Sequence, residues 1–113
     1  MVEGFQTLKN FSHKVGLNFW HIEFATKYRY KIFGKFKQHN IANACIRKVC
    51  KSHNIKIHNL CVMPDHIHMM VTLPHNITES QALQLIKGGS AYLFFRNHPN
   101  SRMRMPQGHL WSA

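Results

Sequence analysis

The sequence predicts an α+β domain: an antiparallel sheet with its helices packed on one face. Three observations lead there. Runs 55–63 and 66–73 are rich in apolar residues and stand only a two-residue turn apart. A run at 17–26 alternates apolar and polar residues. Two other stretches, at 36–53 and after residue 78, change to helical spacing.

Residues 1–16 are polar and weakly patterned and read as an N-terminal arm, leaving 17–113 as the domain. In 17–26, Trp20, Ile22 and Phe24 fall on one side of a strand, with Phe19, His21, Glu23 and Ala25 on the other. Lys27 to Lys31 form a basic, aromatic connection. In 36–53, Ile41, Cys45 and Val49 repeat at four, and Ala42, Ile46 and Cys50 widen the stripe. Lys37, Asn40, Arg47, Lys48 and Lys51 fill the remaining surface and read as a solvated face.

Pro64 and Asp65 alone separate the next two strands, so these should form an antiparallel hairpin. Ile55, Ile57, Cys61 and Met63 are expected on one face of the first. Thr78-Glu-Ser-Gln81 is a capping-box pattern. It opens a second helix carrying Leu83, Leu85, Ile86, Leu93 and Phe94. Gly88 and Gly89 each cost that helix about 1 kcal/mol relative to Ala, which implies a bend or a close approach to the backbone. The chain is loop-like after His98-Pro99-Asn100, and 107–113 reads as the start of a further strand, cut short. The order β-α-β-β-α and an interrupted β is nearly the split β-α-β arrangement.

A chain of 113 residues with 44% apolar composition supports one domain with a modest core. Fifteen Lys and Arg against four acids give a formal net charge of +11. Such a field points to an anionic partner, nucleic acid first and a membrane surface second. No stretch is apolar enough to span a bilayer and no signal peptide is evident, so the expected compartment is the cytoplasm. Cys45, Cys50 and Cys61 read as small core residues; no CxxC exists, and Cys45 and Cys50 do not share a helix face, so a zinc site is badly supported. With Glu3, Glu23, Asp65 and Glu79 the only acids, a two-carboxylate catalytic site is not expected.

His66 and His68 carry the chemistry. Alternate residues of a strand share a face, so two imidazoles stand about 6.5–7 Å apart at the backbone and can converge on one metal ion. Ile67 between them points into the core. Ten histidines in 113 residues make roughly one such pair the chance expectation. Position supports the pair more than counting does, because it begins the second strand beside a tight turn. Residue logic leaves two readings open, metal ligands or two half-exposed histidines at a hairpin end.

Met63-Pro-Asp-His-Ile-His-Met-Met-Val-Thr-Leu-Pro74 resembles the signature of the HUH-type single-tyrosine transposases of insertion sequences. Three more segments agree: Trp20-His-Ile-Glu-Phe-Ala-Thr-Lys-Tyr-Arg-Tyr30, Leu85-Ile-Lys-Gly-Gly-Ser90 and Gly108-His-Leu-Trp-Ser112. The resemblance covers about 17–113 in the family's order. It implies a ferredoxin-like or RRM-like sheet and a homodimer that recognises DNA hairpins and cuts nearby single-stranded DNA. It also implies His66 and His68 as catalytic metal ligands, with Mg²⁺ or Mn²⁺ polarising the scissile phosphate. Imidazole ligation by itself suits zinc or nickel equally. A family tyrosine attacks the phosphorus and leaves a 5′-phosphotyrosine link, so no nucleotide cofactor is needed. That tyrosine, with a further polar ligand, belongs to a helix after the last strand. Tyr28, Tyr30 and Tyr92 do not occupy its position, so the nucleophile is expected beyond Ala113 and the chain reads as truncated.

Lys27, Tyr28, Arg29 and Lys31 interleave charges with rings, as do Lys35 and Lys37 with Phe33 and Phe36. They suit phosphates and unpaired bases, or equally a polar loop over core aromatics. Lys87 and Ser90 are candidates for a DNA backbone contact. His21 reads as a hydrogen-bonded sheet residue and Asp65 as support for the turn. Two rival functions stand beside the transposase: a non-catalytic nucleic-acid-binding module of RRM-like fold, and a replication-initiator or relaxase relative.

Overall fold

The computed structural model describes residues 10–105 and 108–113. Its elements are β1 (Asn10–Gly16), β2 (Phe19–Ala25), a 3-10 turn (Lys27–Arg29), α1 (Phe36–Ser52), β3 (Lys56–Val62), β4 (His66–Thr72), α2 (Glu79–Asn97) and α3 (Asn100–Arg104). The strands form one antiparallel sheet in the order β1-β2-β4-β3. The predicted α+β class is therefore present. β2 and β3, joined through α1, run parallel with β4 between them, which is the split β-α-β unit.

One sheet face makes the core. Ile22 and Phe24 of β2 and Ile67, Met69 and Val71 of β4 are all buried there. They meet Ala42, Cys45, Ile46, Val49 and Cys50 of α1 and Ala82, Ile86 and Phe94 of α2. The predicted stripe of the first helix is thus the buried one. That helix closes on Asn54, whose φ of 59° is left-handed. The amides of Asn54 and Ile55 then reach back to the carbonyls of Lys51 and Cys50, at 3.3 and 2.9 Å, and use carbonyls the helix end would otherwise orphan. At the start of α2 the expected capping box forms: Gln81 N–H donates to Thr78 Oγ1 at 3.1 Å and Thr78 N–H to Gln81 Oε1 at 2.9 Å. No helix among the described residues is long and apolar enough to cross a membrane.

Four expectations change. Asn10–Gly16, assigned to an N-terminal arm, is an edge strand paired with β2. Ser12 to Gly16 are exposed, so ladder hydrogen bonds hold this strand and no apolar alternation announces it; residues 1–9 lie outside the described residues. In β3 the register shifts between Ile57 and Asn59. One extra residue reverses the faces beyond it. Val62 is buried and Leu60 packs on the core, whereas Cys61 and Met63 are exposed. The loop expected after Pro99 contains the short helix α3. Finally, of the expected last strand only a single bridge forms, Trp111 opposite Thr26; residue 107 lies outside the described residues. Leu110 and Trp111 are nonetheless buried, and the Trp111 ring meets the edge of Phe24 at 4.7 Å between centroids. Side-chain burial, rather than a ladder, anchors this segment.

Of the two outcomes expected at the glycine pair, close approach is the one realised. A Cβ on Gly89 would lie 2.9 Å from Val49 Cγ2, whereas one on Gly88 meets nothing within 4 Å. Val49 is β-branched and buried, so it cannot easily turn aside. Gly88→Ala is therefore expected to raise stability by about 0.5–1 kcal/mol. Gly89→Ala should lower it by about 1–3 kcal/mol. Urea denaturation of the two variants measures both, and equal effects would contradict this packing. The thiols give a second check. Burial pushes Cys50 up to about 12 despite the lowering influence of Arg47, and raises Cys45 too. A thiol reagent at pH 8 should modify Cys61 alone in the folded chain and all three cysteines after unfolding.

Candidate metal centre

The face of the sheet away from the helices carries the candidate chemistry. Pairing of β2 with β4 sets Glu23 opposite His68, His21 opposite Met70 and Ala25 opposite His66. Because Ile22, Phe24, Ile67 and Met69 must enter the core, strand alternation sends His21, Glu23, His66 and His68 outward. The carboxylate oxygen Glu23 Oε2 lies 3.5 Å from His21 Nε2 and 3.4 Å from His68 Nδ1. The His21 and His68 rings stack at 5.8 Å, and the His66 ring meets that of His68 edge-on at 4.8 Å. One ligand atom each from His21, Glu23 and His68 falls within 4.8 Å of the others.

His66 is held separately. Its Nδ1 lies 2.8 Å from Asp65 Oδ1, and Arg29 Nε donates to Asp65 Oδ2 at 3.1 Å. Burial by itself would raise the Asp65 carboxyl. Hydrogen bonds from Arg29 and His66, with their charges, outweigh it and hold the group below the ordinary carboxylate value. An ionised Asp65 accepts, so Nδ1 of His66 donates to it, which in the neutral ring leaves the Nε2 lone pair for a ligand. Buried Thr26 fixes the same turn, its amide donating to Asp65 O at 2.9 Å and its hydroxyl to Tyr30 O at 2.7 Å. Tyr28 and Arg29 follow in left-handed conformations, with φ of 55° and 58°. That bend returns the guanidinium to Asp65, at a backbone cost of about 1–3 kcal/mol per residue.

Burial also lowers the His68 imidazole. Glu23 opposes that shift, while His66 and His21 add to it. A lowered value favours the neutral ring, the form that binds metals. Imidazole nitrogens beside a carboxylate oxygen are a donor set suited to a divalent cation, so the residues present fit a metal.

The structure thus brings His66 and His68 to one face and adds His21, read from the sequence as a hydrogen-bonded sheet residue, and Glu23, given no role there. Their signal was present: a polar His-x-Glu alternating with Trp20, Ile22 and Phe24. What was missing was knowledge of which strand β2 adjoins. The other candidates scatter. Lys27 Nζ sits 5.5 Å over the Tyr28 ring. Tyr28 is 70% exposed and Lys31 is exposed, so rings and charge are accessible there. Phe33, from the same segment, is a core residue. Arg29 is taken up by Asp65. Lys87 donates to Ser112 O at 2.6 Å, and burial lowers its pKa. Its side chain lines a cavity of about 570 Å³ on the helix side, with Tyr92, Arg96 and Arg102. Ser90 corrects an expectation. It is 1% exposed and its hydroxyl accepts from Trp111 Nε1 at 3.1 Å, so it braces the core instead of facing a phosphate.

Comparison with known proteins agrees with this architecture. The IS200 transposase of Salmonella typhimurium strain LT2 is 27% identical over 92 residues, covering 81% of this chain and 60% of the relative. The ISDra2 transposase TnpA of Deinococcus radiodurans is 22% identical over 93 residues, covering 82% and 66%. The chain therefore spans about 60% of the length of the IS200 relative. Among solved structures, a Deinococcus radiodurans R1 protein assigned as a transposase superposes with a TM-score of 0.74 at 22% identity, over 89% of this chain and 73% of that one. A REP-associated tyrosine transposase bound to a REP hairpin gives 0.58 at 19% identity, over 88% and 54%. At such identities these two establish a shared fold. The model of the family described as "Transposase IS200 like" matches residues 14–113, and the chain belongs to that family.

Proposed function

We propose that the chain provides the metal site of a DNA transposase that recognises hairpin-bearing single-stranded DNA and cuts it beside the hairpin. The observation that carries this reading is the pair His66 and His68 on the open sheet face, with His66 oriented by Asp65 and Arg29. His66 and His68 would hold a divalent ion, Mg²⁺ or Mn²⁺, which when bound polarises the scissile phosphate. A tyrosine hydroxyl, in the family placed after the position of Ala113, attacks the phosphorus. The new P–O bond forms as the P–O3′ bond breaks, the phenolic proton ends on the 3′ oxygen, and a 5′-phosphotyrosine remains. The linkage conserves bond energy for rejoining, so no nucleotide cofactor is called for.

Asp65 and Arg29 act as positioning residues for His66. Lys27, Tyr28 and Lys31 meet the DNA through phosphate neutralisation and base stacking, and Lys87 does so through its cavity with Arg96 and Arg102. A hairpin as partner is supported by the hairpin-bound relative, and a homodimer by family resemblance. The open faces of β2 and β4 favour an enzyme over an RRM-like binding module. Where such a module needs several stacking rings, these two strands present, beside Phe19, imidazoles and a carboxylate.

The test mixes the protein, joined to a tyrosine-bearing C-terminal segment from a family member, with single-stranded DNA carrying element-end hairpins. An adduct that survives a denaturing gel and disappears with EDTA is expected. His66→Ala and His68→Ala should each retain hairpin binding and lower adduct yield at least a hundredfold. Wild-type-level cleavage by either variant, or an adduct indifferent to EDTA, would overturn the reading.

A further inference from the structure

A chain with net charge +11 repels cations, so a cation site in it needs negative charge close at hand. The chain has only four acids, and two of them flank these histidines: Asp65 in the turn and Glu23 on β2. Asp65 is engaged with Arg29 and His66. Glu23 is placed differently. Its side chain is 14% exposed, and among the described residues its ion-pair partners are the imidazoles of His21 and His68, with no Lys or Arg.

The separations matter. Contacts of 3.4 and 3.5 Å exceed the roughly 2.7–3.2 Å of an N–H···O hydrogen bond. Donors about 2.0–2.2 Å from one shared ion, at angles near tetrahedral, stand about 3.3–3.6 Å apart. Both separations from Glu23 thus match donors around a common centre, and the two imidazole nitrogens lie within 4.8 Å of each other. The side chains are also fixed in advance by ladder register, since Glu23 faces His68 across a central strand pair and His21 is two residues along the same strand.

We infer that Glu23, with His21 and His68, forms a two-histidine, one-carboxylate site for a first-row divalent ion such as Mn²⁺ or Co²⁺. Glu23 then supplies from β2 the one charged ligand of this set. Two imidazoles and one carboxylate favour such ions over Mg²⁺, which prefers oxygen ligands. The site shares His68 with the proposed transposase centre, yet ion binding here requires no strand transfer.

The 113-residue chain is titrated with Mn²⁺, following the loss of the free-ion electron paramagnetic resonance signal, and with Co²⁺ by its visible absorption. One ion per chain is expected, displaced poorly by a hundredfold excess of Mg²⁺. Glu23→Gln, nearly isosteric, should weaken Mn²⁺ at least tenfold with an unchanged far-UV circular dichroism spectrum. His21→Gln should do the same and alter the Co²⁺ spectrum. Wild-type affinity in both variants, alongside loss in His66→Ala and His68→Ala, would overturn the inference while leaving the His66-His68 centre standing. Failure of the unaltered chain to take up either ion would overturn it as well.

Discussion

The register between β2 and β4 is the constraint on which the rest depends. Phe24 opposite Ile67 and Ile22 opposite Met69 bury four large side chains under the helices. Burying each is worth about 1.5–3 kcal/mol. A slip of either strand by one residue would turn that strand's own pair out to solvent and bring its site residues, His21 and Glu23 or His66 and His68, into the core. The alignment that stabilises the fold therefore also assembles the site, because strand register sets where the imidazoles stand.

A second layer of order comes from the turn at Asp65. This carboxylate draws Arg29 and His66 to itself, and its backbone carbonyl accepts from Thr26. The left-handed backbone at Tyr28 and Arg29 is the conformational cost of returning a guanidinium from the far side of the turn. The same bend leaves Tyr28 and Lys31 outside. One segment thereby steadies a metal-ligand candidate inward and leaves an aromatic ring and an ammonium group exposed outward.

The C-terminal segment shows how packing replaces pattern. Trp111 fits between Phe24 and Phe33, and its indole N–H is satisfied by the buried Ser90 hydroxyl. The Lys-Gly-Gly-Ser stretch of α2 thus serves the interior twice, through Ser90 toward Trp111 and through Gly89 toward Val49. Small residues at these points bring helix and neighbour close; their side chains have no room to serve a phosphate.

Residue order alone determined the α+β class, both long helices with the Thr78 cap, the β3-β4 hairpin, the basic character and the outward pair His66 and His68. All of these rest on spacing along the chain, where periods of two and of about 3.6 residues are visible without partners. Only the tertiary structure decided which residues join that pair. His21 and Glu23 lie more than 40 positions away in sequence and come beside His68 through strand pairing, which carries no local signature. The same holds for the edge strand β1, which hydrogen bonds rather than burial retain, and for the bulge that turns Cys61 outward. In each case the deciding interaction is made with a distant segment, so the local pattern either lacks it or, past the bulge, points to the wrong face.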